Sequence, residues 1–269
     1  MITTRGNPTD EPGSERVPVA NAAFDNVSMT EAVESILRMA NASPGYTQLV
    51  CTGNLDHLVL IDRDPEFAAI YRSADLVLAD GAPVVWLSKL NARKNGAAIR
   101  ERVAGSDLFW ELAKASHEQG TRLFFLGGSE GAADRAADAV RLRFPNVNIC
   151  GTYCPPYSSF ATDEEQQKIR DAISTAKPDV LLVAFGAPKQ EKWIASNRTN
   201  LDAAVAIGVG GSFEMAAGDV KRAPVWMRRI GVEWVFRFIQ EPGRLWDRYF
   251  KKDIPFLVRL VAKIVVGRS

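Results

Sequence analysis

The stretch RLFFLGGSEGAADRAADAVRLRF, at positions 122–144, decides the fold class of this chain. Four apolar residues run into a glycine pair, and an alanine-rich segment of helical spacing follows until Pro145 stops it. A short, fully apolar strand that leads straight into a helix is typical of a parallel sheet buried on both faces. The stretch therefore predicts one βα unit.

The same unit recurs along most of the chain. Further strands are predicted at residues 47–51, 75–79, 147–150, 179–185 and 203–209. Helical spacing occurs at residues 29–40, 55–71, 106–119 and 162–176, and another helix begins at Pro188. This alternation predicts an α/β fold with a mostly parallel sheet and flanking helices.

The composition excludes several protein classes. The chain has 269 residues, 46% of them hydrophobic and 24% charged, as in a soluble globular protein. Its net charge of +1 argues against a protein that wraps nucleic acid. It shows neither a secretory signal nor an uncharged apolar run of the roughly 18 residues that a membrane span needs.

The cysteines indicate a reducing compartment. Cys51, Cys150 and Cys154 are too few, and odd in number, for a disulfide framework. Only two histidines occur in the chain, so a zinc site at Cys150 and Cys154 lacks obvious further ligands. We therefore expect no metal site.

The C-terminal end is strongly basic. Residues 221–269 carry twelve Lys or Arg and four Asp or Glu, a net charge of +8, whereas the first 220 residues carry −7. We divide the chain into a flexible leader at residues 1–20, an α/β core at 21–220 and a basic helical tail at 221–269. A basic tail on a neutral protein predicts contact with an anionic partner.

The tail allows two interpretations. Three of the six tryptophans lie in it, and Lys252, Arg259 and Lys263 share one face of a helix whose other positions are mostly apolar. This pattern is typical of a basic amphipathic helix on an anionic membrane surface. An ordinary surface helix packed on the domain has the same pattern, so both interpretations stay open.

Glycines follow three of the predicted strands. They are Gly127 with Gly128, Gly186, and Gly210 with Gly211. Glycine at such turns allows the backbone to approach a ligand, and the helix start that follows favours an anion. Three such turns at one sheet edge predict a phosphate-bearing ligand. Neither G-x-G-x-x-G nor a P-loop motif is present, so a standard dinucleotide or nucleoside triphosphate site is not supported.

Polar residues follow two other strands. Asp80 is a candidate general base or ribose ligand, but Asp-Gly is also a favoured turn pair. Thr52 and Asn54 follow the strand at 47–51, where a helix N-cap would use the same residue types. Arg102 lies in a charged loop that is either solvated or turned toward a carboxylate or phosphate.

Seven motifs, in this order, resemble one protein family. They are TGNLDH (52–57), ADLVLADGAPVVW (74–86), ERVAGSDL (101–108), LFFLGG (123–128), VAFGAPKQEKW (183–193), GVGGSFEMAAG (208–218) and the segment from RAPVW through GVEW to RFIQEPGR (222–244). The chain resembles the WecG/TagA/CpsF glycosyltransferases, family 26, over roughly residues 20 to 250. The resemblance implies a Rossmann-like core without a bound metal or cofactor.

The resemblance also implies an activity. Such enzymes transfer a sugar, with inversion, from a UDP-sugar donor to a polyprenyl-diphosphate-linked sugar in cell-surface or exopolysaccharide biosynthesis. The sugar is of the N-acetylmannosamine, N-acetylmannosaminuronate or glucose type. We expect a cytoplasmic protein, peripheral on the inner face of the bacterial membrane, that binds an anionic membrane surface and no nucleic acid. The oligomeric state, a homo-oligomer included, stays open.

The resemblance assigns roles to residues of this chain. It implies that Asp80 is the base, that Thr52 and Asn54 line the same pocket, and that Arg102 faces the diphosphate or the acceptor. We expect the nucleotide to be bound by Gly127, Gly128, Gly186, Lys189, Gln190, Gly210 and Gly211. We expect the lipid diphosphate or the bilayer to be met by Arg222, Arg229, Arg237 and Arg244. The alternatives are a catalytically silent membrane-bound regulator that keeps the UDP-sugar pocket and a Rossmann-type oxidoreductase.

Overall fold

A six-stranded, fully parallel sheet forms the centre of the protein. The computed structural model describes residues 16–42, 44–224, 226–227 and 231–266. The strands are β1 (Arg16–Val19), β2 (Ala22–Asp25), β3 (Gln48–Gly53), β4 (Leu76–Ala79), β5 (Leu123–Gly127), β6 (Ile149–Tyr153), β7 (Val180–Ala184) and β8 (Val205–Gly208). The central sheet has the order β4-β3-β8-β7-β5-β6, while β1 and β2 form an antiparallel pair. The predicted α/β, Rossmann-like fold is confirmed.

Helices cover both faces of the sheet. They are α1 (Met29–Ala40), α2 (Leu55–Arg63), α3 (Pro65–Ser73), α4 (Ala82–Asn95), α5 (Gly105–Gln119), α6 (Ala132–Arg143), α7 (Asp163–Ala176), α8 (Lys189–Asn197) and α9 (Ser212–Ala217). The C-terminal segment adds α10 (Glu233–Gln240), α11 (Pro242–Arg248), a π-helical turn (Tyr249–Asp253) and α12 (Ile254–Val266). Within the helical stretch at 55–71, Pro65 predicts a break or a new first turn, and this is confirmed, because Asp64 caps α3 and Pro65 opens it.

Alternate strand residues build two apolar cores. Leu49 and Cys51 of β3 face one core and Val50 faces the other. Because successive strand side chains point to opposite faces, each buried strand contributes to both cores. The sheet is thus held rigidly from both sides, and its strand ends provide a fixed platform.

The ordered fold begins earlier than the sequence suggested. Val17 and Val19 of β1 are buried, and Arg16 forms an ion pair with Asp25 at 3.2 Å. The other carboxylate oxygen of Asp25 accepts the N–H of Val77 at 2.7 Å, which attaches the β1–β2 pair to β4. The expectation that the flexible leader extends to residue 20 is therefore wrong for residues 16–19. Residues 1–15 lie outside the described residues.

The C-terminal helix packs on the domain. Phe256 is buried in the core to which α2 and α3 also contribute, and Leu260, Val261 and Ile264 pack against the same core. Arg259 also pairs with Asp62 at 2.7 Å. The apolar side of α12 therefore covers the protein itself, as in the second interpretation of the tail. Within the described ranges, no helix combines the length and hydrophobicity that crossing a bilayer requires.

Candidate active site

The carboxyl ends of β3, β4 and β8 bring three of the motifs together. Asp80 directly follows β4, and Thr52 lies in β3 beside it, paired in register with Leu78. The Thr52 hydroxyl donates to the carbonyl of Gly208, 2.9 Å away, in β8. Gly105 closes the group, because a Cβ there would lie 3.3 Å from Thr52 Oγ1 and 3.7 Å from Asp80 Oδ2. A side chain at position 105 would crowd this corner.

Asp80 combines partial exposure with a perturbed proton affinity. Its Oδ2 accepts the N–H of Gly105, the first residue of α5, at 3.3 Å. Burial raises the pKa of Asp80 to about 6, although Arg102 and the Gly105 N–H oppose the shift. Glu233 also raises this pKa, while Arg237 lowers it. A carboxylate that is ionised at neutral pH yet binds a proton readily is suited to act as a general base.

Asn54 serves first as a helix cap. Its side-chain oxygen accepts the N–H of His57 at 3.3 Å and so caps α2. Its Cβ lies only 3.6 Å from the place that a Cβ on Gly81 would take. Gly81 has a φ of 105°, which other residues rarely adopt. Asn54 and the Asp80-Gly81 turn are therefore adjacent.

Arg102 is held by a network that the sequence did not reveal. One of its guanidinium nitrogens lies 3.1 Å from Glu233 of α10, and another lies 3.8 Å from Asp107. Arg222 pairs with the same Asp107 at 2.6 Å and bonds to the Ser106 hydroxyl at 2.9 Å. The C-terminal segment is thus attached to the start of α5, next to Asp80. Arg222 lies in this network rather than free at the surface.

Arg237 presents a guanidinium that is not fully paired. Its Nε is buried and has no hydrogen-bond partner among the described residues. One terminal nitrogen lies 3.4 Å from the place that a Cβ on Gly211 would take. Such a cation, beside a glycine turn, can bind an anion. Arg229 lies outside the described residues, as does the side chain of Arg244 in α11.

The glycine turns leave open space for a ligand, but several of their backbone N–H groups are already bonded within the protein. Gly127, Gly128, Gly186 and Gly210 all have positive φ, between 52° and 95°. The Gly128 N–H donates to the Ala184 carbonyl at 2.9 Å. The N–H groups of Gly186 and Gly210 both donate to Gln190 Oε1, each at 3.1 Å. A Cβ at Gly186 or Gly210 would meet nothing within 4 Å, so both turns border open space.

The two side chains expected to contact the nucleotide, those of Lys189 and Gln190, differ in their exposure to solvent. Lys189 is partly exposed and its Nζ lies 3.4 Å from the centre of the Phe160 ring, in a cation–π contact. Burial lowers the pKa of Lys189. Gln190, in contrast, is buried, with only 2% of its surface exposed, and its amide is bonded within the protein.

An acidic residue missed in the sequence also borders the glycine turns. Glu214 Oε1 accepts the N–H of Ser129 at 2.7 Å, and its Oε2 lies 3.8 Å from the Cβ position of Gly211. In the sequence, only the position of Glu214, shortly after the glycine turn at Gly210 and Gly211, indicates that it could lie near the ligand. Among the described residues, no three or more His, Cys, Asp or Glu side chains are grouped so that they could hold a metal ion.

Comparisons with known proteins agree on one family. A family model described as Glycosyl transferase WecG/TagA/CpsF family matches residues 17–269. Three similar proteins are all named N-acetylglucosaminyldiphosphoundecaprenol N-acetyl-beta-D-mannosaminyltransferase. The protein from Bacillus spizizenii is 36% identical over 75% of this chain and 73% of the relative. The protein from Bacillus subtilis is 34% identical over 69% of this chain and 68% of the relative. The protein from Staphylococcus aureus strain MW2 is 28% identical over 92% of both chains.

Proposed function

Because the chain belongs to the WecG/TagA/CpsF glycosyltransferase family, we propose that it transfers a sugar of the N-acetylmannosamine type from UDP to a polyprenyl-diphosphate-linked sugar. The acceptor class follows from the names of the relatives, which act on N-acetylglucosaminyl diphosphoundecaprenol. Membership of a glycosyltransferase family excludes the alternative of a Rossmann-type oxidoreductase. The observation that carries the proposal is the partly exposed Asp80 carboxylate, which lies at the strand ends beside Thr52 and whose pKa is lowered by Arg102 and Arg237 against the effect of burial.

Asp80 acts as the general base of an inverting displacement. The acceptor hydroxyl oxygen forms a bond to the anomeric carbon while the bond from that carbon to the UDP oxygen breaks. The hydroxyl proton passes to the Asp80 carboxylate, and the electron pair leaves with UDP. Thr52 keeps lone pairs for a sugar hydroxyl, since its own proton is donated to Gly208.

Cationic side chains stabilise the leaving diphosphate. Arg237 lies beside the Gly211 turn with one nitrogen that has no partner among the described residues, and Arg102 lies close enough to influence the pKa of Asp80. Developing negative charge is stabilised most by groups that are already oriented before the reaction. The ion pairs of Arg102 to Glu233 and Asp107 provide that orientation.

Removing divalent metal is expected to leave turnover unchanged. Protein cations meet the charge of the leaving group in this mechanism, so EDTA at millimolar concentration should change kcat by less than about twofold. UDP release is measured with and without EDTA, and a metal-dependent nucleotide-sugar transferase is the positive control. Strict dependence on Mg²⁺ or Mn²⁺ would contradict the mechanism.

The activity is expected to rise with pH through the pKa of Asp80. The base must be ionised, and its pKa is raised to about 6, so kcat/KM should fall about tenfold per pH unit well below 6 and level off above it. Glu233→Gln removes a charge that raises this pKa, so the acid limb should move to lower pH. A limb that stays in place in this variant, or a flat profile, would contradict the assignment of Asp80.

The C-terminal segment is proposed to meet the membrane. Trp246 stacks on Phe250 with ring centres 4.5 Å apart, and Phe238 of α10 joins them. We call these three residues the aromatic cluster; Trp246 and Phe250 are exposed. Helix α10 also carries Glu233, which pairs with Arg102, and Arg237, which lies beside Gly211. An exposed aromatic cluster in a basic segment supports a peripheral position at the inner face of the bacterial membrane, where the lipid acceptor is found.

A donor panel tests the function directly. UDP-linked N-acetylmannosamine, N-acetylmannosaminuronate and glucose are each incubated with a short-chain polyprenyl-diphosphate N-acetylglucosamine. We expect acceptor-dependent UDP release with the first donor. Binding of UDP-sugars without turnover of any of them would instead support the silent regulator.

A further inference from the structure

Two consecutive buried residues lie beneath the glycine turns. Gln190 is 2% exposed and Glu191 is fully buried, both at the start of α8. The single side-chain carbonyl of Gln190 accepts from Gly186, which follows β7, and from Gly210, which follows β8. One amide group therefore ties together the two turns that follow neighbouring strands.

Glu191 fixes the direction of that amide. Its Oε1 accepts from Gln190 Nε2 at 2.7 Å, so the Gln190 carbonyl must point toward the two backbone donors. A reversed amide would place an NH₂ group against two N–H groups. Gly208 leaves room for the pair, because a Cβ there would lie 2.5 Å from Gln190 Nε2 and 2.9 Å from Glu191 Oε1. The Gly208 carbonyl also accepts from Thr52, which connects the pair to the corner that holds Asp80.

The arrangement is costly for stability. Glu191 Oε2 is buried and has no hydrogen-bond partner among the described residues. Burial raises the pKa of Glu191 to about 7. A buried polar group without a partner destabilises a folded protein, and an apolar side chain of similar size would not. A carboxyl group at this position is therefore explained by a task other than packing.

We propose that Glu191 is a positioning residue that, through Gln190, sets the spacing of the turns at Gly186 and Gly210 and thereby the affinity for the donor nucleotide. This inference rests on the proposed function, in which the space bordered by these turns receives UDP. Glu191 touches neither substrate. It acts by keeping one hydrogen-bonded geometry in two turns whose glycines have no side chains of their own.

The principal variant is Glu191→Met, which removes the acceptor oxygen and keeps the side-chain length. We expect the UDP Kd and the donor KM to rise about tenfold, with kcat within about twofold and Tm unchanged or higher. Glu191→Gln keeps an acceptor oxygen for Gln190 and should restore the affinity. Titration calorimetry gives the Kd, and steady-state assays separate KM from kcat.

A matched control lies at the other end of the strands, directly before β3 begins. Thr47 is also fully buried, and its hydroxyl donates to the carbonyls of Leu201 and Ala203 at 3.1 and 2.8 Å. Thr47→Val should lower Tm and leave the UDP Kd unchanged. Unchanged UDP affinity in Glu191→Met, or no rescue by Glu191→Gln, would overturn the proposal.

A second variant covers the case in which Glu191→Met does not fold. The double exchange Gln190→Glu with Glu191→Gln keeps every hydrogen bond and reverses the direction of the one between the two side chains, because a carboxylate at 190 can accept both backbone N–H groups and one side-chain N–H. It should bind UDP within about threefold of the unaltered protein, whereas Gln190→Glu alone should bind at least tenfold more weakly. Equal weakening in both variants would overturn the proposal.

Amide hydrogen exchange separates this inference from the proposed function. In unliganded protein, Glu191→Gln should leave the exchange rates at Gly186 and Gly210 unchanged, and Gln190→Met, which removes their common acceptor, should raise them about tenfold. If the unaltered protein failed to bind UDP, the donor assignment would fail, but these rates would still test the link between the turns. Unchanged rates in Gln190→Met would overturn the link itself.

Discussion

Asp80→Asn is expected to lower kcat by about two to four orders of magnitude while the UDP Kd stays within about twofold. The amide keeps the size and turn preference of the carboxylate but cannot accept the acceptor's proton, and loss of a general base commonly has an effect of this size. Since the Gly105 N–H can still donate to the amide oxygen, the start of α5 should stay in place. Turnover is measured with saturating donor and lipid-linked acceptor, and UDP affinity by calorimetry.

The matched control is Asp75→Asn, at the other end of the same strand. Asp75 accepts the N–H of Leu49 at 2.8 Å and pairs with Arg198, so its role is structural. This variant should lose stability and keep its kcat. Near-normal turnover of Asp80→Asn would return Asp80 to the role of a turn residue. Loss of UDP affinity in that variant would instead place Asp80 in the nucleotide pocket.

The grouping of Asp80 with Thr52 could be predicted because it depends on local pattern and on one rule of topology. Apolar runs located β3 and β4, and the carboxyl ends of parallel strands meet at one edge. The strand order then set Gly208 beside Thr52. The adjacency of β3 and β4 also depends on the strand order, which the apolar pattern alone does not give.

The contacts of Arg102 and Gln190 could not be predicted in the same way. Arg102 pairs with Glu233, which is 131 positions away, and no sequence pattern indicates which carboxylate it meets. Gln190 resembled a polar residue at an exposed helix start, yet Gly208 provides the space that allows it to be buried. Both depend on how α8 and α10 pack, which is a tertiary property. The strand at 16–19 was missed for the same reason, since its ordering depends on Asp25 and on β4.

The C-terminal segment is expected to bind anionic vesicles through both its exposed aromatic residues and its cations. Deleting α12 is a poor test, because Phe256 is part of the core and its loss would destabilise the domain. Substitution of exposed residues avoids this problem. Trp246→Ser with Phe250→Ser removes the two exposed members of the aromatic cluster, and Lys252→Gln with Lys263→Gln removes two exposed cations.

The two variants should weaken vesicle binding in different ways. Each cation near an anionic surface contributes about 1 kcal/mol, so loss of two should weaken binding about thirtyfold, and only at low salt. Loss of two partly inserted aromatic residues should weaken it about a hundredfold at any salt concentration, since burial of apolar area is not screened. Leu142→Ser, at an exposed apolar position on α6, is the control and should bind as the unaltered protein does. Sedimentation with vesicles of anionic and of neutral lipid measures all of these.

Because α10 links the aromatic cluster to Arg237, the aromatic variant should also lose turnover on long-chain lipid acceptors and keep it on short soluble ones. Equal binding of every variant to both kinds of vesicle would show that the segment only packs against the domain.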